Sequence, residues 1–128
     1  MGTLFSKIVS GEIPSHKIAE NEHFLAFLDI NPLVKGHTLV IPKKETDYIF
    51  DLAEQEYQDF WVFAKQVAEK LKENIACERI GIAVIGLEVA HAHIHLVPIN
   101  AVEDINFAAP KLSLSQSELA EIAEAIRA

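Results

Sequence analysis

Cysteine occurs once in this 128-residue chain, at Cys77. An internal disulfide is therefore excluded, which suits a reducing, cytoplasmic setting, and Cys77 is expected to be a small buried residue rather than a reactive thiol. Basic charge is also scarce: 11 Lys and Arg face 19 Asp and Glu, for a net charge of −8. A non-specific nucleic-acid binder needs clustered cations, so that class is disfavoured. Any anionic ligand has to be held by local donors against an unfavourable overall field. No apolar run approaches the length of a membrane span, and the N-terminus lacks a signal-peptide core. Met1-Gly2-Thr3-Leu4-Phe5-Ser6 fits the loose N-myristoylation pattern, but Leu4, Phe5 and Ile8 read as folded structure. Repeats, linkers and low-complexity tracts are missing too.

What remains is the composition of one globular domain spanning residues 1–128. Half the residues are hydrophobic and 23% are charged, enough apolar material to bury a real core. Residues 3–10 are expected to form a short helical or irregular lead-in, closed by Gly11 and Pro14. Residues 16–20 and 24–28 read as a hairpin about Asn21-Glu22, and 37–41 as the next strand, ended by Pro42. Tyr57, Phe60, Trp61, Ala64, Val67, Ala68, Leu71 and Ile75 repeat at the spacing of one helical face, predicting a helix over 54–74 that lies on the sheet. Ile80 to Ile85 reads as a buried strand, with Gly86-Leu87-Glu88 turning out of it. Ser115 and Glu118 make a capping-box pattern that opens a last helix to Arg127. Residues 100–114 have no clear period, and Ile105, Phe107 and Pro110 make them too apolar for a free tail; they are expected to cross to a partner subunit. The fold class is α+β, with a mainly antiparallel sheet, one long helix and one C-terminal helix.

The most informative run is His91-Ala92-His93-Ile94-His95-Leu96-Val97, which holds half of the six histidines. In an extended strand alternate side chains share a face, so the three imidazoles line one side and Ala92, Ile94 and Leu96 the other. Three readings compete. A divalent metal site is one, but positions i and i+4 on a strand lie about 13 Å apart, so an ion reaches two neighbours and a remote ligand at most. A histidine-rich strand without chemistry is the second; it is disfavoured because the run sits inside a Val/Ile-rich stretch, not at a terminus. The third makes the middle imidazole a covalent catalyst, with its neighbours orienting it and contacting an anionic substrate.

Three further blocks accompany the run: Leu4-Phe5-Ser6-Lys7-Ile8 with Glu12-Ile13-Pro14, then Phe27-Leu28-Asp29-Ile30-Asn31-Pro32, then Gly36-His37-Thr38-Leu39-Val40-Ile41-Pro42-Lys43-Lys44. In this order they resemble the histidine triad family, most closely its Hint-type branch, over most of residues 4–98. The resemblance implies hydrolase or transferase chemistry at a nucleotide α-phosphate, and a homodimer whose two five-stranded sheets join into one. It makes His93 the nucleophile that forms a nucleotidyl-imidazole. It makes His91 the residue that holds His93 in the correct tautomer, largely through a backbone carbonyl, and His95 the binder of phosphate oxygens. His37 matches a fourth histidine behind the triad, either catalytic or a hydrogen-bonded core residue. Asp29 matches the acceptor of ribose hydroxyls, the alternative being a turn cap. Leu4, Phe5, Ile8, Phe27, Ile30 and Leu39 match an apolar slot for a purine. The activity implied is hydrolysis of purine nucleoside phosphoramidates. Dinucleoside polyphosphate hydrolysis, as in the Fhit-like branch, and low-turnover nucleotide binding are the alternatives. The helix from Glu54 and the strand before it match the dimer surface; no cofactor, membrane or nucleic-acid partner is expected.

The chain departs from that pattern in two places. The branch carries a serine three residues before the first triad histidine, where Glu88 stands here. Glu88 is expected to give a proton to the leaving group, provided it is partly buried near the phosphate. Some bacterial relatives hold structural zinc with a Cys-x-x-Cys pair, at positions occupied here by Thr3 and Ser6, so no metal site is expected.

Overall fold

Two apolar segments, Phe24–Leu28 (β2) and Thr38–Pro42 (β3), are buried at every position. A strand with no solvent-facing side needs cover on both faces, and the fold supplies it. The computed structural model describes residues 2–127; Met1 and Ala128, the ends of the predicted domain, lie outside the described residues. Lys17–Glu20 (β1), Arg79–Ala83 (β4) and Ile94–Ile99 (β5) complete a five-stranded antiparallel sheet in the order β1-β2-β3-β5-β4. Over one face lie Glu54–Asn74 (α2) and Gln116–Arg127 (α3), whose Phe60, Val67, Leu71, Leu119 and Ile126 share a core with Ala26, Val40, Ile94 and Leu96. Over the other face lies the short helix Leu4–Val9 (α1), which joins Phe5 and Ile8 to Leu25, Phe27, Leu39 and Ile41.

Local chemistry explains the boundaries. The Asn21 side chain accepts from the His23 and Phe24 amides at 2.9 and 2.8 Å, closing the β1–β2 hairpin. The capping box of α3 forms in both directions: Ser115 N–H donates to Glu118 Oε1 at 3.0 Å, and Glu118 N–H to Ser115 Oγ at 3.1 Å. Glu54 and Glu56 in the first turn of α2 suit the positive end of its dipole. No helix among the described residues is long and apolar enough to cross a membrane.

Several expectations are corrected. The histidine run enters the sheet only at Ile94, because the backbone before it bonds elsewhere: Ala92 N–H donates to Thr46 O and His91 N–H to Val89 O. The alternation survives regardless, since Ala92, Ile94 and Leu96 all join the α2–α3 core. β4 ends at Ala83, so residues 84–93 form a long connection rather than a tight turn. Phe63 belongs to the buried face of α2, whereas Tyr57, Trp61 and Ala68 are only partly buried against it. Cys77 is half-buried, lying between α2 and β4 rather than in the core. The strand before α2 is β3, which is paired on both sides and offers no free edge to a second sheet.

Candidate active site

The site is built around β3 and β5, whose register places Leu39 opposite His95 and Thr38 opposite Leu96. Gly36 leads into it with φ +91°, which favours glycine, and a Cβ there would also press on Ile75 and Pro98 at 3.2 Å. His37 follows, almost wholly buried. Its Nδ1 accepts the Leu33 amide at 3.0 Å. A backbone N–H can only donate, so the proton of the neutral His37 ring sits on Nε2 and is given to His95 Nδ1 at 3.0 Å. His95 must then carry its own proton on Nε2. A chain of three donors thus fixes two tautomers.

The opposite assignment holds for His93. Its Nδ1 lies 2.8 Å from the His91 carbonyl, which can only accept. The proton is therefore on Nδ1, and Nε2 keeps its lone pair. Neither His93 Nε2 nor His95 Nε2 has a partner among the described residues, yet neither is sealed from solvent. Lone pair and N–H donor stand side by side, with ring centroids 4.9 Å apart. His91 itself is buried and tied at both nitrogens: Nε2–H donates to Pro42 O at 2.7 Å, and Nδ1 accepts from Thr3 Oγ1 at 3.0 Å. Thr3 is also the N-cap of α1, accepting the Ser6 amide. Glu45 accepts from the Thr3 amide at 3.2 Å and from Ser6 Oγ at 2.5 Å. Thr3 and Ser6 are therefore joined to His91 by hydrogen bonds.

Burial sets the protonation of these rings. It lowers His37 to about 4, with Lys111 adding repulsion, and His95 to about 3, with His93 and His37 adding theirs. Burial also lowers His91, partly offset by its bond to Pro42. All three are neutral at pH 7. Burial raises the Asp29 carboxyl, although the Asn31 amide donating to Oδ1 at 2.9 Å opposes this. Asp29 Oδ2 stands 3.7 Å from His37 Nε2, too far for a hydrogen bond, and a neutral ring makes no ion pair. Asp29, His37 and His95 converge closely enough to hold a cation. His37 and His95 are already joined by a hydrogen bond, and Asp29 stands beside that pair rather than in it.

Two cavities meet at His93 and His95. The larger, roughly 230 Å³, is lined by Leu4, Phe5, Ile8, Phe27, Asp29, Ile30 and Leu39, every residue expected of the nucleoside slot. Phe5 stands edgewise to Phe27 and to His93, at 5.7 and 5.0 Å. The smaller, roughly 170 Å³, adds His37, Glu88, Phe107 and Lys111. Glu88 lines both cavities but is exposed, because it lies on the 84–93 connection; the partial burial expected for it is absent. Residues 100–114, expected to cross to a partner, lie across their own chain's cleft: Phe107 packs edgewise on His95 at 4.7 Å, and Leu112 N–H donates to Pro32 O at 2.8 Å. Phe107, Lys111 and the tie from Thr3 to His91 are what sequence reasoning missed. The Thr3-x-x-Ser6 spacing at a helix start was the available signal for Thr3; Lys111 had none.

A paired donor and lone pair on neighbouring imidazoles, beside an apolar slot on an antiparallel sheet, agree with what comparison shows. The profile of the HIT domain family matches residues 10–102, and the chain belongs to that family. It is 43% identical over 101 residues to an uncharacterized HIT-like protein of Methanocaldococcus jannaschii, covering 74% of this chain and 77% of that one. It is 34% identical over 128 residues to a Schizosaccharomyces pombe protein named adenosine 5'-monophosphoramidase, covering 98% and 96%. Among solved structures, a HIT-like protein from Bartonella henselae matches with a TM-score of 0.84 at 27% identity, over 98% of this chain and 94% of that one.

Proposed function

We propose that this protein cleaves purine nucleoside phosphoramidates, or related adenylates, at the α-phosphate through a nucleotidyl-His93 intermediate. The observation that carries the reading is the unpartnered Nε2 of His93, its lone pair fixed by the His91 carbonyl and open to the cleft. The phosphoramidase name of the S. pombe relative supports the same class. The nucleoside lies in the larger cavity, with its ribose hydroxyls on Asp29. The His93 lone pair forms a bond to phosphorus while the bond to the leaving nitrogen breaks, and that nitrogen takes a proton from solvent in the open cleft. Water then attacks phosphorus, releases its proton to solvent, and the electron pair of the breaking P–N bond returns to Nε2. His95 donates its Nε2–H to a non-bridging oxygen throughout; one such donor is typically worth about 10²–10³ in rate.

The active form we propose is a homodimer joined through β4, an edge strand of the sheet. Ile82 is half-exposed there, with exposed Tyr48, Phe50 and Val62 elsewhere on the surface. Unpaired strand edges with apolar side chains invite a second strand. Single-turnover hydrolysis of adenosine 5'-phosphoramidate tests the chemistry. Wild type should release AMP, and His93→Ala should not. Tight AMP binding without turnover in wild type would replace this reading with that of a binding module.

A further inference from the structure

Lys111 lines the smaller cavity with Asp29 and Glu88 but forms no direct ion pair among the described residues. An ammonium has three donors. Two are taken by backbone carbonyls, Phe107 O at 2.8 Å and Ala109 O at 3.3 Å. Among the described residues no carboxylate oxygen lies within ion-pairing distance of its Nζ. Lys111 is exposed, as are most cations here, but it stands at the mouth of the cavity that His93 and His95 line. It is also the one permanent cation lining this cavity, since His37 and His95 are held neutral. The backbone that holds it is fixed: Phe107 packs on His95 and, at 6.0 Å, on His37, and Leu112 is latched to Pro32.

We propose that Lys111 forms a subsite for an oxyanion carried by the leaving group, one or more bonds beyond the α-phosphate. This rests on the reading that the nucleoside fills the larger cavity and His93 acts at phosphorus. With the nucleoside there, phosphorus lies where the cavities meet, and whatever hangs from its far side extends into the smaller one. That space, roughly 170 Å³, corresponds to about five or six water molecules, enough for a small acid. Glu88 lines the same cavity and would repel an anion placed next to it. The chemistry that fits both holds its negative group away from Glu88 and out at Lys111. An amino acid linked to phosphorus through its nitrogen has this form; a β-phosphate satisfies Lys111 alone.

Two ratios test the subsite in wild type, Lys111→Met and Lys111→Arg. The first is the affinity for ADP over that for AMP, measured by calorimetry. The second is kcat/KM for AMP linked through nitrogen to glycine over that for the glycinamide adduct, which lacks the carboxylate. Losing one charge-assisted hydrogen bond lowers a ratio about tenfold, and Lys111→Arg should restore it. A fall in the first ratio assigns a phosphate, a fall in the second assigns a carboxylate, and either upholds the subsite. Both ratios unchanged in Lys111→Met would overturn it. Failure of wild type to hydrolyse either adduct would count against the reaction, while the ADP-to-AMP ratio would still judge the subsite.

Discussion

At the scale of single residues, the chemistry follows from which ring nitrogen carries a proton. The Leu33 amide decides it for His37 and His95, and the His91 carbonyl decides it for His93. His91 is held in turn by Thr3, so the residue that caps α1 also positions the nucleophile's orienting carbonyl. Thr3→Val keeps the shape and removes the hydroxyl; it should lower kcat about tenfold, as expected for one lost positioning hydrogen bond. KM for adenosine phosphoramidate should change less, and Thr3→Ser should recover the rate. A shifted His91 ring-nitrogen signal in the NMR spectrum of Thr3→Val would separate this role from simple loss of a helix cap. Much of this scale was legible beforehand. The alternation of the histidine run placed Ala92 and Ile94 in the core and His93 and His95 at the cleft, because side-chain parity persists even where strand pairing stops. Thr3 was hidden because its partner His91 lies far off in sequence; Lys111 bonds only to its own loop, and that loop is set beside the cleft by Phe107 on His95 and Leu112 on Pro32, contacts no local periodicity reports.

Among the elements, α2 and α3 form one wall of the core and need nothing from a ligand to do so. Phe60 is fully buried and stacks on Phe24 at 5.4 Å. Phe60→Ala should cost about 3–5 kcal/mol in urea unfolding, a large share of the total for a domain of this size. Ser115→Ala removes one side of the α3 capping box and should cost about 1 kcal/mol. Helical period and capping chemistry made both helices readable from sequence. The 84–93 and 100–114 segments were not, because their positions come from tertiary bonds. Ala92 is bonded to Thr46 and Leu112 to Pro32, and neither pair leaves a pattern along the chain. β4 was read two residues too long for a related reason: Val84 and Ile85 are apolar but exposed, and lie outside the ladder with β5.

For the whole molecule, two buried neutral histidines tie stability to pH. The unfolded chain protonates its histidines near 6.5, whereas the folded His37 and His95 stay neutral down to about 4 and about 3. Between those values acid loads protons onto the unfolded state, so stability should fall as pH drops from about 6.5 towards 4. Urea midpoints at pH 7 and pH 5 measure it, and His37→Asn should flatten the dependence. The assembly is tested separately: Ile82→Lys at the β4 edge should shift the sedimentation coefficient from dimer to monomer. The central claim stands on one imidazole. Rapid acid-free quenching of wild type with 32P-labelled adenosine phosphoramidate, followed by peptide mapping, should find the label on His93, with none in His93→Ala. Label on another residue, or full turnover in His93→Ala, would contradict it.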